Sequence, residues 1–197
     1  MATKYRIAVI ELDDICPRIE PDLPNLFVGV TSRTPDELFD GLSNNKFRPK
    51  WARGHAIKPR YDLVPDRCTS LEDARQRKAA HIKGLRRQGF TVNRNTEAYR
   101  TYVINLDNPK KTDVGKGYIY VGQTSKSPEA RLQEHLSNAR TADGRRLASR
   151  VVYKYGQNLN SALMKRHIYL SQEEAKIAEA DLAKLLEQDG YVVEGGH

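Results

Sequence analysis

The chain has 197 residues, of which 39% are hydrophobic and 29% charged, with a net charge of +8 and a pI near 9.5. Two cysteines, Cys16 and Cys68, rule out a disulfide framework and a thiolate zinc motif by number and spacing, and no apolar run reaches the ~20 residues of a bilayer span. The basic surplus favours a polyanionic partner, and Met1 to Tyr5 hold no apolar leader core, so the expectation is a soluble, reducing, cytoplasmic setting without a membrane.

Ile7 to Leu12 predicts a strand, and Pro17, Pro21 and Pro24 mark the loop after it. Leu26-Phe27-Val28-Gly29-Val30-Thr31 predicts a second strand, and Thr34-Pro35-Asp36-Glu37-Leu38 opens a helix with a hydroxyl cap and a proline at its first position. A basic cluster follows, Lys46-Phe47-Arg48-Pro49-Lys50-Trp51-Ala52-Arg53, continued by Lys58, Arg60 and Arg67. Aromatics among arginines suit phosphate contact with base stacking; the other reading is a solvated basic loop with Trp51 tucked into the core. Ser70-Leu71-Glu72-Asp73-Ala74 starts a longer helix that stops at Gly89, before the short β run Phe90-Thr91-Val92.

The order then repeats. Thr101 to Asp107 matches Ile7 to Asp13. A polar, glycine-containing turn over 107–117 leads to Tyr118-Ile119-Tyr120-Val121-Gly122-Gln123-Thr124, which matches the second strand without a gap at an offset of 93 residues. Ser127 and Pro128 open a helix on which Arg131 and His135, four residues apart, share a face. Ser171 to Ala175 opens the last helix, and Gly190 stops it before Tyr191-Val192-Val193. Three matched motifs in one order predict an internal duplication, with units at 1–95 and 99–197. The expected fold is α/β: tandem units, each a small antiparallel β-sheet flanked by helices.

Tyr102, Tyr120-Val121-Gly122, Arg131, His135 and a glutamate on a later helix together resemble the GIY-YIG nuclease superfamily over roughly Arg100 to Gly195. Where that family carries Gly-Ile-Tyr, this chain has Arg100-Thr101-Tyr102, and Tyr99 is a rival for the tyrosine position. The resemblance implies hydrolysis of phosphodiester bonds in DNA around one Mg²⁺ or Mn²⁺, with the late glutamate as metal ligand. Of two candidates, Glu174 lies where helix capping explains it. Glu179 lies among Ala175, Ala178, Leu182 and Leu186, at the edge of an apolar stripe where a carboxylate needs a cation or hydrogen bonds, which favours Glu179.

The implied roles follow from chemistry. Arg131 would hold non-bridging phosphate oxygens with its planar fork. Tyr102 or Tyr120 would orient the attacking water or take its proton, provided cations lower the phenol pKa. His135 would relay a proton or brace a phosphate. Nucleic acid is expected at Arg48, Lys50, Trp51, Arg53, Lys126, Arg145, Arg146 and Lys154. The alternative is a non-catalytic nucleic-acid-binding or regulatory module on the same scaffold.

The first unit lacks these groups. Ala8 stands opposite Tyr102, Phe27 opposite Tyr120, Leu38 and Leu42 opposite Arg131 and His135, and Lys78 opposite Glu179. Turns and caps persist while the polar groups are gone. This predicts an inactive copy with a structural or nucleic-acid-binding role, whose apolar helix face needs cover from the second unit or a partner.

Overall fold

The computed structural model describes residues 5–65, 68–107 and 115–195. The start of the chain at 1–4, Arg67, and the turn expected around 108–114 lie outside the described residues. The chain divides into two compact units, Met1–Glu97 and Ala98–His197.

The first unit runs β1 (Arg6–Leu12), β2 (Asn25–Thr31), α1 (Pro35–Ser43), β3 (Ala56–Pro59), α2 (Leu71–Arg87) and β4 (Thr91–Val92). The second runs β5 (Arg100–Leu106), β6 (Tyr118–Thr124), α3 (Pro128–Leu136), α4 (Arg150–Tyr155), β7 (Gly156–Leu159), α5 (Gln172–Gln188) and β8 (Val192–Gly195). Strand orders are β3-β1-β2-β4 and β7-β5-β6-β8. The register agrees too: Ala8 pairs with Gly29 where Tyr102 pairs with Gly122.

The sheets are mixed, not antiparallel as the sequence suggested. β1 and β5 pair antiparallel with both neighbours, but β4 runs parallel to β2 and β8 parallel to β6. The cause is the long helix before each last strand, which returns the chain to the end of the sheet where it began, as a parallel crossover requires.

Helices cover both faces of each sheet, so the central strands are buried on consecutive residues instead of alternating ones. In the first unit Leu85 of α2 meets Ile7, Val9, Leu26 and Val28 on one face. On the other, Leu38 and Leu42 of α1 meet Ala8, Ile10, Leu12 and Phe27. In the second unit α3 and α5 take the same two faces through Leu132 and through Leu182 and Leu186. The helix ends are local choices. Thr34 forms a full capping box with Glu37, Ser70, Ser127 and Ser171 each accept the amide three residues on, and Gly89 and Gly190 take φ of 100° and 93° just past the helix ends.

Leu38 and Leu42 need no outside cover. They lie inside the first unit's own core, with Phe47 and Trp51 packed against the same cluster. Leu42 is fully buried. Leu42→Ala is therefore expected to destabilise the first unit by about 2–5 kcal/mol, read by chemical unfolding. Among the described residues no helix is long and apolar enough to cross a membrane.

Candidate active site

One cluster in the second unit gathers side chains from three elements. β5 supplies Tyr102, β6 supplies Tyr120, and α3 supplies Arg131 and His135. The rings of Tyr102 and Tyr120 lie 6.1 Å apart, and that of Tyr120 lies 5.7 Å from the imidazole, edge-on. Glu179 on α5 is not part of that ring packing, but its charge pushes the Tyr120 pKa up. Tyr102, Tyr120 and His135 of the expected set are packed together, Arg131 shares the α3 helix with His135, and Glu179 acts on Tyr120 through its charge. Glu174 stays at the helix start, where its carboxylate accepts the Leu170 amide at 3.1 Å.

Gly122 makes room for the two phenols. A Cβ there would stand 2.6 Å from the Tyr102 hydroxyl and 2.9 Å from the Tyr120 ring. Gly122→Ala is expected to displace Tyr102, buried to 1% exposure, and to change the tyrosine fluorescence of the folded protein. Overpacking of this kind costs about 1–3 kcal/mol.

His135 is fully buried, so its ring has no access to a bound phosphate. Its Nδ1 accepts the Ser149 amide at 2.8 Å, which leaves the proton of the neutral ring on Nε2. Nε2 lies 2.8 Å from the Tyr102 hydroxyl and donates to it. The Tyr102 ring lies beside that of Tyr120, with centres 6.1 Å apart. Both ring nitrogens of His135 are thus fixed, one by the Ser149 amide and one by the Tyr102 hydroxyl.

Burial pushes both phenols up. For Tyr102 desolvation dominates, the neighbouring Tyr120 adds to it, and Arg131 offsets only part. For Tyr120 desolvation again leads and the Glu179 charge adds; the bonds from Tyr102 and Ser149 and the charge of Arg131 oppose. The expected lowering of a tyrosine by cations is thus present but outweighed. Burial, helped by repulsion from Arg131, brings His135 down to about 4. It is neutral near pH 7 and acts on the cluster through Tyr102.

Arg131 is held on two sides. One terminal nitrogen donates to Glu134 at 2.9 Å, the other to the Leu147 carbonyl at 3.1 Å. Burial works against its charge, but the bonds to Glu134 and Tyr102 outweigh this and raise its pKa. Glu134 also pairs with Lys126, and that bond is the main reason its carboxyl lies below the usual range. Glu134, Leu147 and Ser149 were not singled out from sequence. Glu134 was accessible as an i,i+3 partner of Arg131; the other two act largely through backbone groups, which no residue pattern reports.

Glu179 is the carboxylate whose charge acts on Tyr120. Among the described residues no cluster of three or more His, Cys, Asp or Glu side chains forms a metal cage. One hard oxygen ligand fits Mg²⁺ or Mn²⁺ shared with substrate phosphates, the usual arrangement for Mg²⁺, and does not fit a permanently caged ion.

The other expected contacts are dispersed. Arg145, Arg146 and Lys154 are exposed in the second unit, and Lys126 is partly engaged by Glu134. In the first unit Arg48 and Lys50 are exposed. Arg53 instead donates to the Phe47 carbonyl at 2.6 Å. Trp51 is half-buried, edge-on to Phe27 with ring centres 6.0 Å apart, and packs against the core cluster that contains Ala8. Its ring serves the core and is not a free stacking platform. Lys78 is half-buried on α2.

Comparison of the chain with protein-family models, with curated proteins and with solved structures returned no match.

Proposed function

We propose that the second unit is a divalent-metal-dependent endonuclease that hydrolyses phosphodiester bonds in DNA, and that the first unit is a duplicated copy without catalytic activity. The observation that carries the reading is the packing of Tyr102 and Tyr120 with His135 locked behind them and Arg131 acting on Tyr102, joined by the Glu179 charge that acts on Tyr120. In the first unit the same register holds Ala8, Phe27, Leu38 and Leu42, packed as core.

In this reading Arg131, oriented by Glu134 and Leu147, binds the non-bridging oxygens as charge builds on the phosphate. Tyr120 is the better placed of the two phenols to take or steer the proton of the attacking water. It is only half-buried, whereas Tyr102 is sealed in the core. Tyr102 is held in place behind it by His135, whose tautomer is fixed by the Ser149 amide. Glu179 is the residue that would hold a divalent cation, and such an ion would supply charge stabilisation of the phosphate and would offset the carboxylate's upward push on Tyr120.

The test is cleavage of end-labelled DNA by the full chain with Mg²⁺, with Mn²⁺ and with chelator. Metal-dependent scission supports the nuclease. The second reading, a nucleic-acid-binding module, rests on the raised pKa of both phenols; binding without scission in either metal would decide for it.

A further inference from the structure

The segment after α3 is a β-hairpin anchored on the catalytic helix. Its first leg begins with the Ala139 amide bonded to the Glu134 carbonyl at 2.9 Å. The legs are joined by Leu147 N to Ala139 O at 2.9 Å, by an antiparallel bridge between Arg140 and Arg146, and by Thr141 N to Arg145 O at 2.8 Å. The second leg then supplies the Leu147 carbonyl to Arg131 and the Ser149 amide to His135. The hairpin is therefore a ribbon fixed to the site at both legs.

Its charge is one-sided. Between residues 139 and 154 there are five cations, Arg140, Arg145, Arg146, Arg150 and Lys154, and one acid, Asp143. Arg140 and Arg146 face each other across the ribbon, where like charges are unfavourable without a counter-charge. Asp143 is bonded to the Thr141 hydroxyl at the tip. Arg140, Arg145 and Arg146 are all exposed. Arg145 lies two residues, about 7 Å of extended chain, from the carbonyl that holds Arg131. A ribbon of arginines this close to the reactive cluster fits an extended polyanion running past it.

We infer that this hairpin enters the major groove of duplex DNA, which makes duplex DNA the substrate class of the second unit. The inference rests on the nuclease reading above for its orientation to Arg131. Shape selects the duplex: the B-form major groove, about 12 Å wide, admits a two-stranded ribbon, whereas the A-form RNA major groove is too narrow for side chains to read. Composition argues against a single strand. Residues 139–147 contain no aromatic ring, and single-strand binding relies on stacking. Tyr153, 45% exposed on α4, is the exposed ring of the adjoining segment, and duplex binding has no need of it.

The experiment measures binding, not cleavage, with full-length Glu179→Gln protein and three fluorescent probes of one sequence: a 30-bp DNA duplex, its single strand, and the RNA duplex (about three turns of helix). The DNA duplex is expected to bind at least about tenfold tighter than either other probe. Adding Arg145→Gln and Arg146→Gln should erase most of that margin and reduce the salt slope of binding by about two. Tyr153→Ala should leave duplex affinity within about twofold. The tip arginines are exposed, so an unchanged unfolding midpoint verifies the fold of the variant. Equal or tighter binding to the single strand or RNA duplex, a tip variant with undiminished duplex affinity, or a Tyr153→Ala loss as large as the tip loss would overturn the inference. Duplex binding that depends on the tip arginines in a protein that never cuts would remove the nuclease reading and the word substrate with it, and would leave the hairpin's entry into the duplex groove standing.

Discussion

Glu179→Ala in the full chain is expected to reduce metal-dependent cleavage by at least about 10³-fold while duplex binding persists. The magnitude follows from losing several kcal/mol of charge stabilisation, at 1.36 kcal/mol for each factor of ten. Glu179 lies on α5 among Ala175, Leu182 and Ala183, all buried, so alanine is accepted there without a new cavity of consequence. The same substitution tests the first unit. Lys78 stands at the corresponding place on α2, and Ala8 and Phe27 replace the two tyrosines. If that unit is inactive, no cleavage remains after one substitution in the second. Activity within tenfold of wild type would show that the metal is held elsewhere or that the first unit cuts.

His135→Leu gives the second large effect, and it separates structure from chemistry. Leucine already fills this position in the first unit, as Leu42, so the volume is compatible with the scaffold. In the second unit, however, the change strips partners from the Ser149 amide and the Tyr102 hydroxyl. Each buried group left unpaired costs about 1–3 kcal/mol. Cleavage is expected to fall about 10–100-fold, the usual penalty for losing a partner that orients a catalytic group.

The pH dependence of stability distinguishes this from simple cavity damage. His135 titrates at about 4 when folded and near 6.5 when unfolded. Between those values the unfolded chain binds more protons, so stability rises with pH. The contribution is complete above about pH 6.5 and is lost as pH falls toward 4, with a slope approaching ~1.4 kcal/mol per pH unit. His135→Leu should remove that slope. Unfolding midpoints measured from pH 4 to 7 check it; an unaltered slope would mean that His135 is not buried neutral.

Much of this architecture was legible because its signals are local. Ser127 and Pro128, Ser171 and Gly190 announce helix ends through their own hydrogen bonds and backbone angles, and the repeat doubled each signal. The mixed pairing was harder to read, because Val192 and Val193 look the same beside β6 in either direction. The five side chains were visible as an ordered set. What was not visible was how burial divides their work. Arg131 and His135 share a helical face, yet one is held at the site and the other is sealed behind Tyr102, a distinction set by Ser149 and Leu147 from a different segment. Trp51 misled for a related reason: a ring among cations suggests stacking, but the core cluster that contains Ala8 drew it inward.

The anchoring of Arg131 and His135 by main-chain groups has a consequence for variation. A carbonyl at 147 and an amide at 149 are offered by almost any residue, so the identities there are nearly free while their spacing is not. Loss or gain of one residue in the stem would withdraw both anchors at once. The tip, beyond the Ala139–Leu147 bond, carries no such restriction. Its length and charge can drift while Arg131 and His135 stay in register, so the exposed ribbon and the buried cluster can change independently within a few residues of each other.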